Sequence, residues 1–275
     1  MGGAARRLTD PDEILGGYGR LLDERRRTRR APGMRPLVSV VVPYWRMARF
    51  VEDTLRSIAE QTYRPIETIV VVDGSFEPSD RILAELAARY PVSVLSQPNA
   101  GLGAARNFGA RQARGRYVLP LDSDNMIEPT FVERCVELLE NDRGIAYVTS
   151  WSRFVDEEGL PLDDGAEGYQ PIGNESSLVE VNNVAGDAAA VIRRRLFDLG
   201  FTYSQDLTSY EDWELYIRMA RAGHRGLVIP ERLLRYRVRR DSMIRDIGLP
   251  RTERLLGEMQ AHVREREIQW ASESG

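Results

Sequence analysis

Lysine is missing from this chain of 275 residues, and all 38 of its basic side chains are arginine. That absence excludes Schiff-base catalysis and any lysine-based phosphate contact. Cysteine is nearly as scarce. Cys135 stands alone, so there is no internal disulfide and no thiolate metal cluster, and its place in the helical pattern "FVERCVELLE" reads as a small core residue. The two histidines, His224 and His262, lie far apart without metal-ligand spacing and read as surface or turn positions. No apolar run approaches the roughly 20 residues that cross a bilayer, and "MGGAARRLTD" lacks the apolar core of a secretory signal, so the expected location is cytoplasmic. A net charge of −4 gives no global bias toward nucleic acid, which is not expected as a partner; any polyanion site must be local.

The segments that are present alternate. Residues 10–30 open with Asp10 as N-cap and Pro11 at the first helical position, then run into a charged, arginine-rich helix. Its arginines read as a solvated face or as a contact for an anionic membrane surface or partner. Strand patterns follow at 36–43, 66–75, 92–97 and 115–125, separated by helical patterns at 49–61, 78–90, 101–113 and 129–142. Strands alternating with helices predict a parallel sheet covered on both faces, with ligands beyond the carboxyl ends of the strands. Those ends carry Pro43-Tyr44-Trp45, Asp73-Gly74-Ser75, Gln97-Pro98-Asn99 and Asp122-Ser123-Asp124. After residue 145 the pattern changes: a strand or hairpin over 145–155, a long acidic loop over 156–176, and strand, loop and short helix over 179–200. An amphipathic helix over 210–223 stops at Gly223, two short strands cover 226–240, and a charged helix ends the chain over 250–270. This second half reads as built onto the same sheet.

Four motifs are candidates for chemistry. "GLGAAR" lacks the third glycine of a dinucleotide fingerprint and follows the third strand, which argues against a nicotinamide enzyme. In "LDSDN", Asp122 and Asp124 sit two apart where the chain leaves the pleat; they read as turn chemistry or as two hard oxygen donors for Mg²⁺ or Mn²⁺ completed by substrate phosphates. "SYEDWEL" places Glu211 and Asp212 at a helix start, either as dipole-favoured acids with Trp213 in the core, or as a base for an acceptor hydroxyl. "RLLRYRVRRDSMIR" has six arginines, which read as a protected sheet edge or as guanidinium contacts to a diphosphate.

Taken in order, "VSVVVPYW", "RFVEDTLRSIAEQTYRPIETIVVVDGS", "QPNAGLGAARNFGARQARGRYVLPLDSDN", "VAGDAAAVIRRRLFDLGF", "YEDWELYIRMARAG" and "LLRYRVRRDSM" resemble the family 2 glycosyltransferases, nucleotide-sugar enzymes of the GT-A fold. The resemblance covers roughly residues 38–245. It implies an α/β, Rossmann-like, mixed but mostly parallel sheet. The implied domains are an N-terminal helical arm over 1–35, a transferase domain over 36–245 and a C-terminal helical extension over 246–275. Within the transferase domain, 36–125 is the nucleotide-binding half and 126–245 the acceptor side.

The same resemblance implies roles. Pro43, Tyr44 and Trp45 border the base; Asp73, Gly74, Ser75, Arg106, Asp122 and Ser123 line the nucleotide site. Asp124, with Asp122, is the metal ligand, and Arg239 and Ser242 face the diphosphate. Gly186, Asp187 and Trp213 line the sugar and acceptor cleft, and Asp212 is the base with Glu211 beside the acceptor. Three departures stand out: Val72 replaces the first acid of "DDGS", Asn125 ends the "LDSDD" motif, and Arg239 replaces the histidine of "YRxH". The implied reaction transfers a sugar from a nucleoside diphosphate donor, UDP first, to an acceptor hydroxyl with inversion. The alternatives are a retaining transferase, a sugar nucleotidyltransferase and a non-catalytic binder. Donor, acceptor and any homo-oligomer are not readable.

Overall fold

The computed structural model describes residues 35–74, 77–162, 168–174, 177–240 and 257–263. The expected N-terminal arm therefore lies outside the described residues except for Arg35, as does most of the C-terminal extension apart from a helical stretch over 257–263.

A single eight-stranded sheet organises the chain. Four strands run parallel in the first half: β1 (Val38–Tyr44), β2 (Ile66–Asp73), β3 (Val92–Gln97) and β4 (Tyr117–Pro120). The helices α1 (Val51–Ala59), α2 (Glu77–Arg89) and α3 (Leu102–Gln112) connect them. All seven residues of β1 are buried, as expected of a β-branched run at the centre of a sheet covered on both faces. Alternation then sorts them. Val38, Val40, Val42 and Tyr44 join one core cluster with Leu55, Phe131, Cys135 and Leu139, whereas Val41 joins the opposite cluster with Ile69, Val71 and Ala105.

Helix α3 lies unusually close to that second face. A Cβ on Gly109 would stand 2.2 Å from a Val41 methyl, and one on Gly103 would stand 2.2 Å from the Ser204 carbonyl oxygen. Gly103 and Gly109 are thus packing glycines, whereas Gly101 faces open space and is required by its φ of 90°, in keeping with the exclusion of a dinucleotide fingerprint.

The second half extends the same sheet. It contributes β5 (Met126–Ile127), α4 (Phe131–Asn141), β6 (Ile145–Val155), β7 (Val191–Arg193), α5 (Arg195–Asp198), α6 (Glu211–Arg221) and β8 (Arg225–Arg237). The strand order is β3-β2-β1-β4-β7-β6-β8-β5, with β7 antiparallel to β4 and to β6, β5 antiparallel to β8, and β6 parallel to β8. The direction of strand addition reverses between β1 and β4, which makes the carboxyl ends of those two strands the place for a ligand. Leu121 N–H bonds to the Val41 carbonyl at 2.9 Å, and the two strands then part.

Three local expectations change, and the choice of strand or hairpin over 145–155 is resolved. The fourth strand stops at Pro120, because 121–125 turn out of the pleat. Residues 145–155 form one strand of 11 residues, without a hairpin. The two strands expected over 226–240 are one, because the register against β6 jumps from Ile229 to Arg232, so that Pro230 and Glu231 bulge out and the missing N–H of Pro230 costs no ladder bond. The strand expected from 179 is a 3₁₀ turn at Ser177–Glu180, where buried Val179 offers its carbonyl to the Trp213 indole N–H.

Candidate active site

The crevice between β1 and β4 is floored by loops that the strands release. Asp73, at the end of β2, is 4% exposed, and its carboxylate accepts the backbone N–H groups of Ala100 (2.8 Å) and Gly101 (2.9 Å) and the Gln97 amide (2.8 Å). Its own carbonyl accepts the Asn99 amide at 2.9 Å. Asp73 therefore fixes the 97–101 loop that leads into α3. Gly74 follows it at φ 92°, where an added Cβ would stand 2.9 Å from that of Asn99. Ser75 lies outside the described residues. In the Pro43-Tyr44-Trp45 corner, only Trp45 presents a large ring to solvent (49% exposed); Tyr44 is enclosed in the core at 1%.

The turn after β4 is held from inside. Asn125 is buried; its N–H bonds to the Asp122 carbonyl (3.0 Å), its carbonyl accepts the Thr54 hydroxyl (2.7 Å), and its side-chain oxygen accepts the Arg237 N–H (3.0 Å). The neutral side chain at this position is thus a structural acceptor. Arg237 completes the brace. Its buried guanidinium donates to the Asp124 carbonyl (2.9 Å), the Asp53 carboxylate (2.8 Å) and the Glu157 carbonyl, and lies over the Phe50 ring at 4.9 Å. Sequence reasoning missed Arg237. The signal for it was the alternation of Arg237 and Arg239 on one face of a strand.

With its backbone fixed, the turn presents Asp122 and Asp124 to two arginines. Arg106, 2% exposed on α3, bridges Asp122 at 2.7 Å and Glu211 at 2.5 Å. Burial disfavours its charge, but Asp122 and Glu211 outweigh that and hold the guanidinium well above its usual range. Glu211 opens α6, whose preceding residue, Tyr210, has the left-handed backbone φ 65° that a bulky side chain rarely adopts. That kink turns the helix N-terminus, with Glu211 and Asp212 in its first turn, toward the crevice.

Asp212 differs from its neighbour. Its carboxylate accepts the Trp213 N–H at 2.7 Å, while Arg106 pairs with Glu211. Burial first, then the charges of Glu211 and Asp187, push its carboxyl up to about 8. Asp187 accepts the Ala189 N–H at 2.8 Å, and burial and Asp122 push it up to about 6. Two adjacent acids in contrasting environments, one ion-paired and one raised toward neutrality, are the arrangement that supplies a base near physiological pH. Gly186 is buried at φ 141°, where a Cβ would stand 2.6 Å from a Thr149 methyl. Trp213 is 5% exposed and packs in the cluster with Tyr147 and Tyr216, so its ring supports the helix from behind.

Arg239, 8% exposed, donates to the Asp124 carboxylate at 2.7 Å. Burial and Asp122 push Asp124 up while Arg239 pulls it down. Among the described residues no third Asp, Glu, His or Cys joins the pair. Two carboxylates at one turn, one of them destabilised by its like-charged neighbour, fit a divalent ion, whose other ligands would come from a donor's phosphate groups and water. Arg239 would compete with such an ion for Asp124. Ser242 lies outside the described residues.

The structure thus brings Asp122, Asp124, Asp187, Glu211 and Asp212 around one crevice with Arg106 and Arg239 between them, although 90 residues of sequence separate Asp122 from Asp212. Comparison with known proteins bears on the family and the fold. The chondroitin synthase of Escherichia coli is 29% identical over 189 residues, which is 68% of this chain and 27% of that protein. An uncharacterized glycosyltransferase of Methanocaldococcus jannaschii is 26% identical over 211 residues, 74% of this chain and 71% of its own. The chain therefore spans about a quarter of the chondroitin synthase. Among solved structures, residues 1–349 of S. aureus TarS in complex with UDP-GlcNAc superpose with a TM-score of 0.62 at 20% identity, over 82% of this chain and 69% of that one. A mannosyltransferase from Pyrobaculum calidifontis in complex with GDP-Man and Mn²⁺ gives 0.62 at 20% identity, over 84% and 66%. At that identity the likeness shows the fold, which is the GT-A fold expected from the sequence. The profile of "Glycosyl transferase family 2" matches residues 39–200, more than half of the chain, and the protein belongs to that family.

Proposed function

We propose that this chain transfers a sugar from a nucleoside diphosphate donor to an acceptor hydroxyl, with inversion at the anomeric carbon and Asp212 as general base. The observation that supports this reading is the Arg106 bridge, which ties the acids after β4 to the acids opening α6. On this reading Trp45 and Pro43 border the base, Gly74 and Ser123 flank the ribose, and Asp73 acts through the loop it holds, with Tyr44 supporting the corner from the core. UDP is the donor nucleotide we favour; the UDP-GlcNAc complex of TarS supports a uridine site on this fold.

The acceptor hydroxyl, aligned against the anomeric carbon between Gly186, Asp187 and Glu211, gives its proton to the Asp212 carboxylate as its oxygen bonds to that carbon. The bond from the anomeric carbon to the diphosphate breaks on the opposite face, and its electron pair stays on the phosphate oxygen. No covalent enzyme intermediate forms. Mn²⁺ or Mg²⁺ bound by Asp124 and Asp122 would supply neutralisation of the diphosphate charge. Arg239 is placed to take part of the same charge through a bidentate contact once it leaves Asp124.

A panel of nucleotide sugars, followed by thermal shift with and without Mn²⁺, tests the reading. The right donor at a hundredfold excess over its dissociation constant stabilises the fold by about 2.7 kcal/mol, and NMR of the product shows the opposite anomeric configuration. Retention of configuration, or stabilisation by no nucleotide sugar, overturns it.

Arg239 also yields a direct expectation for the metal. Arg239→His removes the competing cation and adds a nitrogen ligand, so Mn²⁺ affinity, read by titration calorimetry without donor, rises at least tenfold. An unchanged affinity would mean that Asp124 is not where the ion binds.

A further inference from the structure

A second charged site lies on the other edge of the sheet. Arg116, Arg143, Arg193, Arg194 and Arg195 line one pocket of about 330 Å³. Arg116 immediately precedes β4 and Arg193 ends β7, paired with Tyr117 at the start of β4. The pocket is therefore at the amino end of β4, whereas the acids of the crevice follow its carboxyl end. A donor seated in the crevice does not reach it.

The five guanidiniums are unequally compensated. Arg193 forms the floor at 5% exposure, and its four hydrogen bonds go to neutral oxygens: the carbonyls of Ile145 (2.6 Å), Leu139 (2.5 Å) and Asp142 (3.0 Å) and the Tyr117 hydroxyl (3.3 Å). The carbonyls of Leu139 and Asp142 lie at the end of α4, so the helix dipole favours that buried cation and makes it a fixed charge. Arg116 pairs with Glu140 at 3.2 Å and Arg194 with Asp198 at 3.2 Å. Asp142, the remaining nearby carboxylate, is engaged by Arg225. Arg143 and Arg195 are exposed and have no carboxylate partner among the described residues. A chain with a net charge of −4 thus holds a local positive excess in a concave site.

We infer that this pocket binds a small anion bearing phosphate groups, recognised by Arg143 and Arg195 at the rim and by Arg116 and Arg194 at the walls, over the fixed charge of Arg193. Guanidinium forks match phosphate oxygens in pairs, and several converging forks favour a ligand with more than one phosphate charge. The volume suits a diphosphate or a phosphorylated headgroup and is too small for a folded polymer. A free phosphate compound and a phospholipid headgroup share this chemistry.

The test uses the full chain and the variant Arg143→Ser/Arg195→Ser, whose replaced residues are exposed. Inorganic pyrophosphate is titrated calorimetrically into both proteins at low salt, and both are sedimented with vesicles of phosphatidylglycerol or of phosphatidylcholine. Wild type is expected to bind pyrophosphate with one more site than the variant, or at least tenfold more tightly, while the donor-stabilised melting temperature is the same in both. Vesicle binding that needs phosphatidylglycerol and is lost in the variant assigns the ligand to a headgroup. Pyrophosphate binding without vesicle binding assigns it to a free phosphate compound. Identical isotherms for the two proteins, or no binding of either probe to wild type, overturn the proposal. Arg195→Gln, which keeps the polar surface, serves if the double variant is poorly folded.

Discussion

Asp212→Asn is expected to lower the rate of sugar transfer by roughly 10²–10⁴-fold, the range typical of losing a positioned general base, while donor affinity stays within about threefold of wild type. The same change should make the protein melt at a higher temperature at pH 8. Both results follow from one feature: the Asp212 carboxyl is pushed up to about 8 by burial and by the charges of Glu211 and Asp187. A carboxyl whose folded value exceeds its unfolded value near 3.8 adds stability through its protonated form. That contribution is complete below about pH 4 and is lost as the pH climbs through about 8. Asp187, raised to about 6, adds a decline in the same direction over a narrower window. Wild type should therefore lose stability from pH 4 to pH 8, and the asparagine variant should lose less of it. Activity runs the other way, because only the ionised base accepts a proton: kcat/KM of wild type rises across about pH 8, and the residual activity of Asp212→Asn lacks that limb. Melting curves and a pH–rate profile on the two proteins suffice. A variant that keeps the limb would remove Asp212 from the proton transfer.

The parts of this fold that were legible in sequence are those in which one physical signal acts alone. Residues 36–43, 66–75 and 92–97 read as strands, found at 38–44, 66–73 and 92–97, because their β-branched runs end in turn residues, and α1 and α4 show a clear apolar stripe. The parts that were not legible are those in which a distant contact overrides a local cue. Pro230 reads as a strand break, yet the bulge opposite Ser150 and Trp151 absorbs it and β8 continues. Val179 has the β-branched neighbours of a strand but is captured by Trp213 in a 3₁₀ turn.

The candidate site shows the same division. The identities of Asp122, Asp124, Arg106, Glu211 and Asp212 were readable from motifs; that Arg106 would carry two carboxylates at once was not, since this depends on the start of α6 reaching Arg106 from 105 residues away in sequence. Tyr44 shows how a stronger local rule was available. It shares strand parity with Val38, Val40 and Val42, which places its ring in the core, while Trp45 takes the exposed position.

Arg106 is the residue whose loss should most affect folding. Arg106→Met keeps most of the side-chain volume but removes the positive charge between Glu211 and Asp122, with Asp187 and Asp212 also facing the gap. Removing one partner of a buried ion pair costs roughly 3–5 kcal/mol, because the remaining carboxylates stay desolvated without a counterion. For a domain of this size that amounts to a fall in melting temperature on the order of 10 °C. The deficit should grow with pH, since protonation is the only relief left to the acids. Arg106→Lys restores a charge but not the two-pronged reach to Glu211 and Asp122, so it should recover only part of the loss. A double-mutant cycle separates charge from packing. If the bridge matters electrostatically, Arg106→Met/Glu211→Gln should be less destabilised than the sum of the single variants by at least 1 kcal/mol, the scale expected for contacting residues. Additivity within a few tenths of that would mean that Arg106 holds α3 and α6 through its aliphatic stem and the Tyr203 ring 5.2 Å from its guanidinium, and the link between the two acid clusters would then be steric.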